Sequence, residues 1–508
     1  MILDANQEGL IVGVAGAGAM GRGIAQVAAV GGCSVKLFDA KDGAAVDSQV
    51  FIEKMLSRNV EKGRMAQEDA EDAVERIEVV DSLSGFASCH CVVEAVIENL
   101  EIKHGVFKEL ESIVAGDCVI ATNTSSLSVS TIASICDKPE RVAGLHFFNP
   151  VPLMKLVEVI DGVLTDPTVG DFLMILGRRF GRESVRVKDA PGFLVNQVGR
   201  GYNIESAHIV TDGVADVADV DRILRDAMGF RMGPFQLLDL TALDVTHPAT
   251  NLIYEQFYHE PRYRPATMLQ MRLDAGLLGS KVGRGFFEYS DGKMQVADET
   301  PAPAYDGRKV WISNAMPEFG KKLRTIVADA GAPLDDSEKP GDGSLILVTP
   351  LGDDATTAAT DQGLDAMRTI AVDCLFGLES RRTLMKTPLT KADYTDAAHG
   401  LLGGGDVPAT VIRDTPGFVT QRVVAAICNI GCSVAQQRTA VPNDIDKAVK
   451  LGLNYPKGPL EFGDFVGADK VATILTNIHK LTGDPRYRLV PWLRRRAQLG
   501  VSLLTPET

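Results

Sequence analysis

Ile11-Val12-Gly13-Val14-Ala15-Gly16-Ala17-Gly18-Ala19-Met20-Gly21 sets the fold of the first third of this 508-residue chain. The small and apolar run from 11 to 15 reads as a buried strand. The glycines read as a tight turn, and 20–30 reads as an Ala-rich helix. A second apolar run, Ser34-Val35-Lys36-Leu37-Phe38, follows as the next strand and ends at Asp39. Each part of this G-x-G-x-x-G pattern has its own task. Gly16 allows the turn, Gly18 lets the backbone approach a pyrophosphate, and Gly21 lets the helix pack on the strand. Met20 begins the helix whose N-terminus would hold the phosphates, and Ala19 just before it is read with Met20 as a cofactor contact. Asp39 would accept hydrogen bonds from the adenosine ribose hydroxyls and repel a 2′-phosphate. NAD is therefore expected over NADP, with Lys41 working slightly against it.

Further along the chain, Cys91-Val92-Val93 and Cys118-Val119-Ile120-Ala121 add strands between helical stretches, the rhythm of a parallel sheet with crossover helices. The expectation is a Rossmann α/β domain over 1–188. An all-α domain follows over 189–290, with helices at 193–211 and 219–228. A polar linker rich in Asp, Pro, Ala and Gly spans 291–307. A degenerate Rossmann-like α/β segment is expected over 308–405, with strands at 344–348 and 369–372 and no glycine-rich phosphate loop. A second all-α copy, non-catalytic, is expected over 406–508.

The second copy is read from an internal repeat. Asp189-Ala190-Pro191-Gly192-Phe193 recurs as Asp414-Thr415-Pro416-Gly417-Phe418. Phe230-Arg231-Met232-Gly233-Pro234-Phe235 recurs as Tyr455-Pro456-Lys457-Gly458-Pro459-Leu460. Gly233 lies 41 positions after Gly192, and Gly458 lies 41 after Gly417.

A formal charge of −15 argues against nucleic acid, because phosphate backbones need clustered Lys and Arg. No apolar run reaches ~18 residues, so no membrane span is expected. The N-terminus lacks the basic and apolar regions of a secretory signal. Eight scattered cysteines suit a reduced cytoplasm rather than a disulfide scaffold. Cys89-His90-Cys91 has no second ligand pair at zinc-like spacing, so no metal is expected.

Asn123-Thr124-Ser125-Ser126 follows the strand at 118–121, where a doubly wound sheet places its ligand crevice. Then come His146-Phe147-Phe148-Asn149-Pro150, Val157-Glu158-Val159-Ile160 and Pro191-Gly192-Phe193-Leu194-Val195-Asn196. Together these closely resemble the 3-hydroxyacyl-CoA dehydrogenase family over 10–289. The extra helical copy resembles that of longer bacterial members. The resemblance implies NAD-dependent oxidation of (3S)-3-hydroxyacyl-CoA to 3-oxoacyl-CoA. It assigns His146 as general base, Glu158 as its partner, and Ser125 and Asn196 as holders of the substrate oxygen. It adds Val96, Ile97, Glu98, Lys103, Ser125 and Asn149 as cofactor contacts.

Lys62 is implied as a CoA contact, within the basic group Lys54, Arg58, Lys62 and Arg64; Met55 stands where a companion serine is expected. Long members resemble enzymes of short-chain acyl-CoA and phenylacetate catabolism, so 3-hydroxybutyryl-CoA and 3-hydroxyadipyl-CoA are expected substrates. A distal carboxylate would want a cation such as Arg200 or Arg231. Without the resemblance, Ser125 reads as a helix cap, Asn196 as an ordinary polar residue and Lys103 as solvated. Two further readings compete: a catalytically inactive NAD-binding homologue, and a hydroxyacid dehydrogenase that acts without CoA. Residues 192–212 contain no lysine to serve the second.

In the repeat, Gln421 stands in the place of Asn196 and no His-Phe-Phe-Asn-Pro occurs near 373–376. The second half is thus expected to bind no cofactor. The two helical copies are expected to pack face to face as an intramolecular pseudo-dimer, and a further homodimer of whole chains stays open.

Overall fold

The computed structural model describes residues 4–507; Met1-Ile2-Leu3, part of the N-terminal reading, lie outside them. The chain folds as two compact units. One runs to Gln197 and takes in Gln437–Leu453, and the other holds Val198–Gln436 and Asn454 onward.

The first unit is built on β1 (Ile11–Ala15), β2 (Ser34–Phe38), β3 (Ile77–Val79), β4 (Cys91–Glu94), β5 (Val119–Thr122), β6 (Val142–Phe147), β7 (Leu156–Asp161) and β8 (Glu183–Lys188). They form one sheet in the order β3-β2-β1-β4-β5-β6-β7-β8, parallel except between β6 and β7. The chain direction across the sheet reverses between β1 and β4, so the crevice for a ligand opens at the end of β1. Six helices cross over: α1 (Ala19–Val30), α2 (Ala44–Glu61), α3 (Gln67–Glu75), α4 (Leu100–Ile113), α5 (Val129–Ala133) and α6 (Pro167–Arg179). Because side chains alternate along a strand, the sheet has two apolar faces. Val14, Leu145 and Val157 join Ile24 and Phe172 on one. Val92 and Ile120 join Phe107 and Leu110 on the other.

The second unit contains most of α7 (Val195–Thr211), then α8 (Val217–Met228), α9 (Pro234–Thr241), α10 (Leu243–Gln256) and α11 (Thr267–Asp274). The expected linker begins as a short hairpin, β9 (Glu288–Ser290) with β10 (Lys293–Gln295). It is tied down at Glu299, whose carboxylate accepts two hydrogen bonds of 2.8 Å from the buried Arg381.

Next come β11 (Val310–Ile312), α12 (Pro317–Asp329), β12 (Leu345–Val348), α13 (Ala355–Asp361), β13 (Thr369–Val372), β14 (Arg382–Lys386), α14 (Ala392–Gly403) and β15 (Ala409–Ile412). The sheet order is β11-β12-β13-β14-β15, with the antiparallel pair between β13 and β14. This reproduces β4 to β8. Among the described residues, nothing corresponds to β1–β3, so the segment is degenerate by truncation. It lacks the half of the fold that carries a phosphate loop. β15 falls inside the range expected to be all-helical. That boundary moves C-terminally because Ala409–Ile412 completes the sheet beside β14.

Four helices follow: α15 (Val419–Gln436), α16 (Pro442–Leu453), α17 (Pro459–Val466) and α18 (Ala468–Thr482), with α19 (Pro491–Leu499) at the end. Helix α16 is the exception to the segment boundaries, since it belongs to the first compact unit.

The repeat is also preserved in geometry. Phe193 and Phe418 share the left-handed backbone (φ 49 and 50), uncommon for a residue with a Cβ. Asp189 accepts from Ser128, Val129 and Ser130 at the start of α5, and Asp414 accepts from Ala355 and Thr356 at the start of α13. A carboxylate suits a helix N-terminus because it meets free N–H groups. Gly233 is a glycine because a Cβ there would lie 2.1 Å from the Asp221 carboxyl, which accepts the N–H groups opening α9.

All eight cysteines are buried, and none forms a disulfide. Among the described residues, no helix is long and apolar enough to cross a membrane, and no group of three or more His, Cys, Asp or Glu could hold a metal ion. The Cys-His-Cys run has a structural use: His90 Nδ1 accepts the N–H of Ile11 at 3.0 Å and fixes the start of β1.

Candidate active site

The glycine turn has the shape that a dinucleotide requires. Gly16 is left-handed (φ +106), and a Cβ there would lie 2.6 Å from the Ala95 carbonyl oxygen. A Cβ on Gly21 would lie 1.7 Å from the Gly16 carbonyl oxygen. At Gly18 a Cβ would meet nothing within 4 Å, which leaves open space over the N-terminus of α1. Ala19 and Met20 form the first turn of that helix. Asp39 closes the loop: Oδ2 accepts the N–H of Ala17 at 2.6 Å and Oδ1 that of Lys41 at 2.8 Å. The buried Ser48 adds a hydrogen bond to the Ala17 carbonyl, a brace that the sequence reading missed. Open space at a helix N-terminus, beside a carboxylate ending β2, fits a pyrophosphate and a ribose.

Beyond β4, the carboxylates are spent on the protein itself. Glu94, fully buried, takes Lys103 Nζ at 2.7 Å, the Val96 N–H at 2.8 Å and the Thr122 hydroxyl at 2.7 Å. Lys103 is 1% exposed and also lies 3.3 Å from Glu98. Glu98 accepts from the Thr124 hydroxyl, the N–H groups of Ser125 and Ser126, and the Ser126 hydroxyl. Burial pushes the Glu98 carboxyl up, but Lys103 and these donors outweigh it and hold it below the usual range. Lys103 is therefore a buried cation, not a solvated one, and it locks the loop of Val96 and Ile97 to Ser125. Ile97 itself is 65% exposed.

His146 and Glu158 face each other across the antiparallel β6–β7 pair. His146 Nδ1 lies 2.7 Å from Glu158 Oε2, with both residues buried. Oε1 of the same carboxylate accepts the N–H groups of Leu194 at 3.2 Å and Val195 at 2.9 Å. Glu158 thus orients the imidazole and caps the start of α7 at once, which satisfies a charge that burial would otherwise penalise. Phe148 and Phe193 pack on the ring, with centroids 4.5 and 5.7 Å away. At the opening of α7, the Asn196 amide donates to the Ser125 carbonyl oxygen at 3.4 Å. Asn123, read only as part of a motif, accepts the Phe147 N–H at 2.8 Å and holds the strand of the histidine. Ser125 and Asn149 are exposed.

Not every expected residue gathers here. Lys62 stands exposed at the end of α2, with Met55 half-buried on that helix. Arg200 is no exposed cation: it is 7% exposed and donates to the Thr250 hydroxyl, and burial lowers its pKa to about 10. In the second sheet Thr383 stands 225 positions after Glu158, and its carbonyl accepts the Asp373 N–H at 3.0 Å. There Gln421 accepts the Gly352 N–H at 2.8 Å and donates to the buried Asp373 at 3.0 Å.

Comparison with known proteins agrees with this geometry. Residues 11–190 match the 3-hydroxyacyl-CoA dehydrogenase NAD binding domain. Residues 192–289, and again 417–502, match the C-terminal domain of the same family. The chain is 33% identical over 489 residues to a 3-hydroxyadipyl-CoA dehydrogenase of Escherichia coli K12, covering 96% of this chain and 97% of that one. It is 37% identical over 278 residues to a probable 3-hydroxybutyryl-CoA dehydrogenase of Bacillus subtilis, covering 55% of this chain and 96% of the relative. A crystal structure of a 3-hydroxybutyryl-CoA dehydrogenase from Escherichia coli K12 superposes with a TM-score of 0.85 at 32% identity, covering 97% of this chain and 99% of that one. The duplicated match, the glycine loop and the His146 motif lead to one assignment: the chain belongs to the 3-hydroxyacyl-CoA dehydrogenase family and is an NAD-dependent oxidoreductase.

Proposed function

We propose that the chain oxidises (3S)-3-hydroxyacyl-CoA to 3-oxoacyl-CoA with His146 as general base. The observation that carries this reading is the buried 2.7 Å contact between His146 Nδ1 and Glu158 Oε2. Glu158 occupies Nδ1, so Nε2 is left to take the proton of the 3-hydroxyl. Glu158 stabilises the imidazolium that results. Ser125 and Asn196 hold the substrate oxygen. NAD, when bound, supplies the acceptor for the hydride that leaves C3. Gly16, Gly18, Ala19, Met20, Gly21 and Asp39 hold it, with Val96, Ile97, Glu98, Lys103, Ser125 and Asn149 around the loop facing it. Lys62 contacts the CoA moiety. His146→Gln should lower kcat by about 100-fold or more while NAD affinity holds. A variant with near-full turnover would end the assignment.

The acyl group is proposed to be short or to carry a distal carboxylate. Relatives of both names support this, one a 3-hydroxyadipyl-CoA and one a 3-hydroxybutyryl-CoA dehydrogenase. Comparing kcat/KM for the two acyl-CoAs decides between them. Eight cysteines, none of them in a disulfide, suit a reducing cytoplasm.

We further infer that the helical copies, 190–290 and 410–508, pair within the chain about a pseudo-two-fold axis. Exchanged contacts support this, since an isologous interface makes every contact twice. Glu260-Pro261-Arg262-Tyr263-Arg264 recurs as Asp484-Pro485-Arg486-Tyr487-Arg488. Arg264 pairs with Asp484 at 2.7 Å, and Arg488 pairs with Glu260 at 3.1 Å. The Lys188 N–H donates to the Thr439 carbonyl at 2.8 Å, and 225 positions on, that of Arg413 donates to Val214 at 2.9 Å.

A further inference from the structure

We propose that helix α16 is a positioning element of the active site, with Gly452 as the residue that sets its approach. This rests on the reading of His146 and Glu158 as the catalytic pair. By sequence α16 lies in the second helical repeat, yet it packs on β7 and β8 of the first sheet. Lys447 anchors it to Glu183 at 2.8 Å, and the Thr439 carbonyl just before it accepts the Lys188 N–H.

Gly452 lies in the last turn of α16. A Cβ there would stand 3.0 Å from Val195 Cγ1 and 3.1 Å from Leu156 Cδ2. The helix backbone therefore presses on both side chains with nothing between, and both are fully buried. These two residues flank Glu158. Leu156 precedes it by two positions, on the same face of β7. Val195 donates its N–H to Glu158 Oε1, and Asn196 is the next residue. In a close-packed interior, a shift of Val195 cannot be absorbed locally. It would pull a donor from Oε1, release the carboxylate from its present angle to His146, and move Asn196. The second repeat thus reaches the catalytic pair through one packing contact.

The counterpart of Gly452 in the first repeat, 225 positions earlier, is Ala227. There the missing side chain is on the other side: a Cβ on Gly377 would lie 2.7 Å from the Ala227 Cβ. Gly377 lies in the turn between β13 and β14; at α16 the glycine stands on the helix itself, which faces the catalytic strand.

The test uses the full chain, with Gly452→Ala, Gly452→Val and Gly452→Val/Val195→Ala. Turnover of 3-hydroxybutyryl-CoA is counted per NADH-binding site, titrated by NADH fluorescence, and the primary isotope effect is measured with C3-deuterated substrate. Gly452→Val should lower kcat per site by about 10-fold or more and raise the isotope effect, because misplacement of about 1 Å slows the chemical step itself. NADH affinity should stay within about twofold, Gly452→Ala should lose about threefold, and the double variant should recover most of the loss, since Val195→Ala returns the space. If Gly452→Val leaves no NADH-binding protein, Gly452→Ala carries the test with the same isotope signature. Unchanged kcat per site, an unchanged isotope effect, or no recovery in the double variant overturns the proposal. A silent Gly452→Val beside an inactive His146→Gln removes only the role of α16. A fully active His146→Gln removes the catalytic pair itself.

Discussion

Phe230 and Tyr455 hold the same place in the two repeats, and their rings meet edge to face with centroids 5.0 Å apart. Tyr202 stacks on Phe230 at 4.4 Å and Phe462 on its far side at 5.9 Å, forming an aromatic centre between the copies. Contact between a residue and its own counterpart is what the proposed pseudo-two-fold pairing requires. Tethering both copies in one chain makes their encounter intramolecular, at an effective concentration on the order of millimolar or above.

Removing 300–508 should therefore expose the face of Phe230 and Tyr202. The fragment is expected to dimerise or aggregate, which sedimentation velocity would read directly. A monomeric fragment with full activity would contradict both the pairing and the role of α16.

Arg422→Ala should lower the unfolding free energy by about 3 kcal/mol, the scale for breaking a buried ion pair. Arg422 Nη2 lies 2.8 Å from Glu205, and both side chains are 5% exposed, so the charge left behind would stay largely buried. Urea unfolding followed by circular dichroism checks it; a change under 1 kcal/mol would mean that Arg486 alone suffices for Glu205.

Acid should weaken the same cluster. Burial pushes the Glu205 carboxyl up, but Arg486, Arg422, His208 and the Tyr487 hydroxyl outweigh it and hold it at about 2. An unfolded glutamate titrates near 4.3. The folded value is the lower one, so this carboxylate stabilises the fold above about pH 4.3 and loses that contribution as pH falls towards 2. The unfolding free energy of the unaltered chain should drop between pH 5 and pH 3 more steeply than that of Glu205→Gln. Parallel curves would place the acid sensitivity elsewhere.

Asp39→Ser with Ala40→Arg should erode the preference for NAD, because a repelling carboxylate is exchanged for a phosphate partner. The ratio of kcat/KM for the two cofactors measures this. Some loss of total activity is expected too, since Asp39 also holds the Ala17 and Lys41 N–H groups. An unaltered chain that uses NADP better than NAD would refute the reading of the loop.

The residues legible in the sequence were those whose task is written in a local pattern. The glycine spacing reads as the turn, and the motifs around His146 and Glu158 carry the resemblance that implies their pairing. What escaped depends on partners far away in sequence. Lys103 looked like a surface lysine because Glu94, its buried partner, carries no motif. Glu205 and Arg422 lie on two helices whose contact no periodicity reports. The recurrence of Glu260–Arg264 as Asp484–Arg488 is written in the sequence, but it is short and rich in charge and by itself marks no contact. The placement of α16 was not readable at all, because helical amphipathicity says that a face is covered and not by what.

The second sheet begins at the counterpart of β4, and this has a consequence for saturation. Homotropic cooperativity requires at least two linked binding sites. Among the described residues a pair of like halves carries one glycine loop, and one dinucleotide site per chain is therefore the expectation. Binding of NAD to a single chain should follow a simple hyperbola with a Hill coefficient of about 1. Any sigmoidal response would have to come from the association of whole chains.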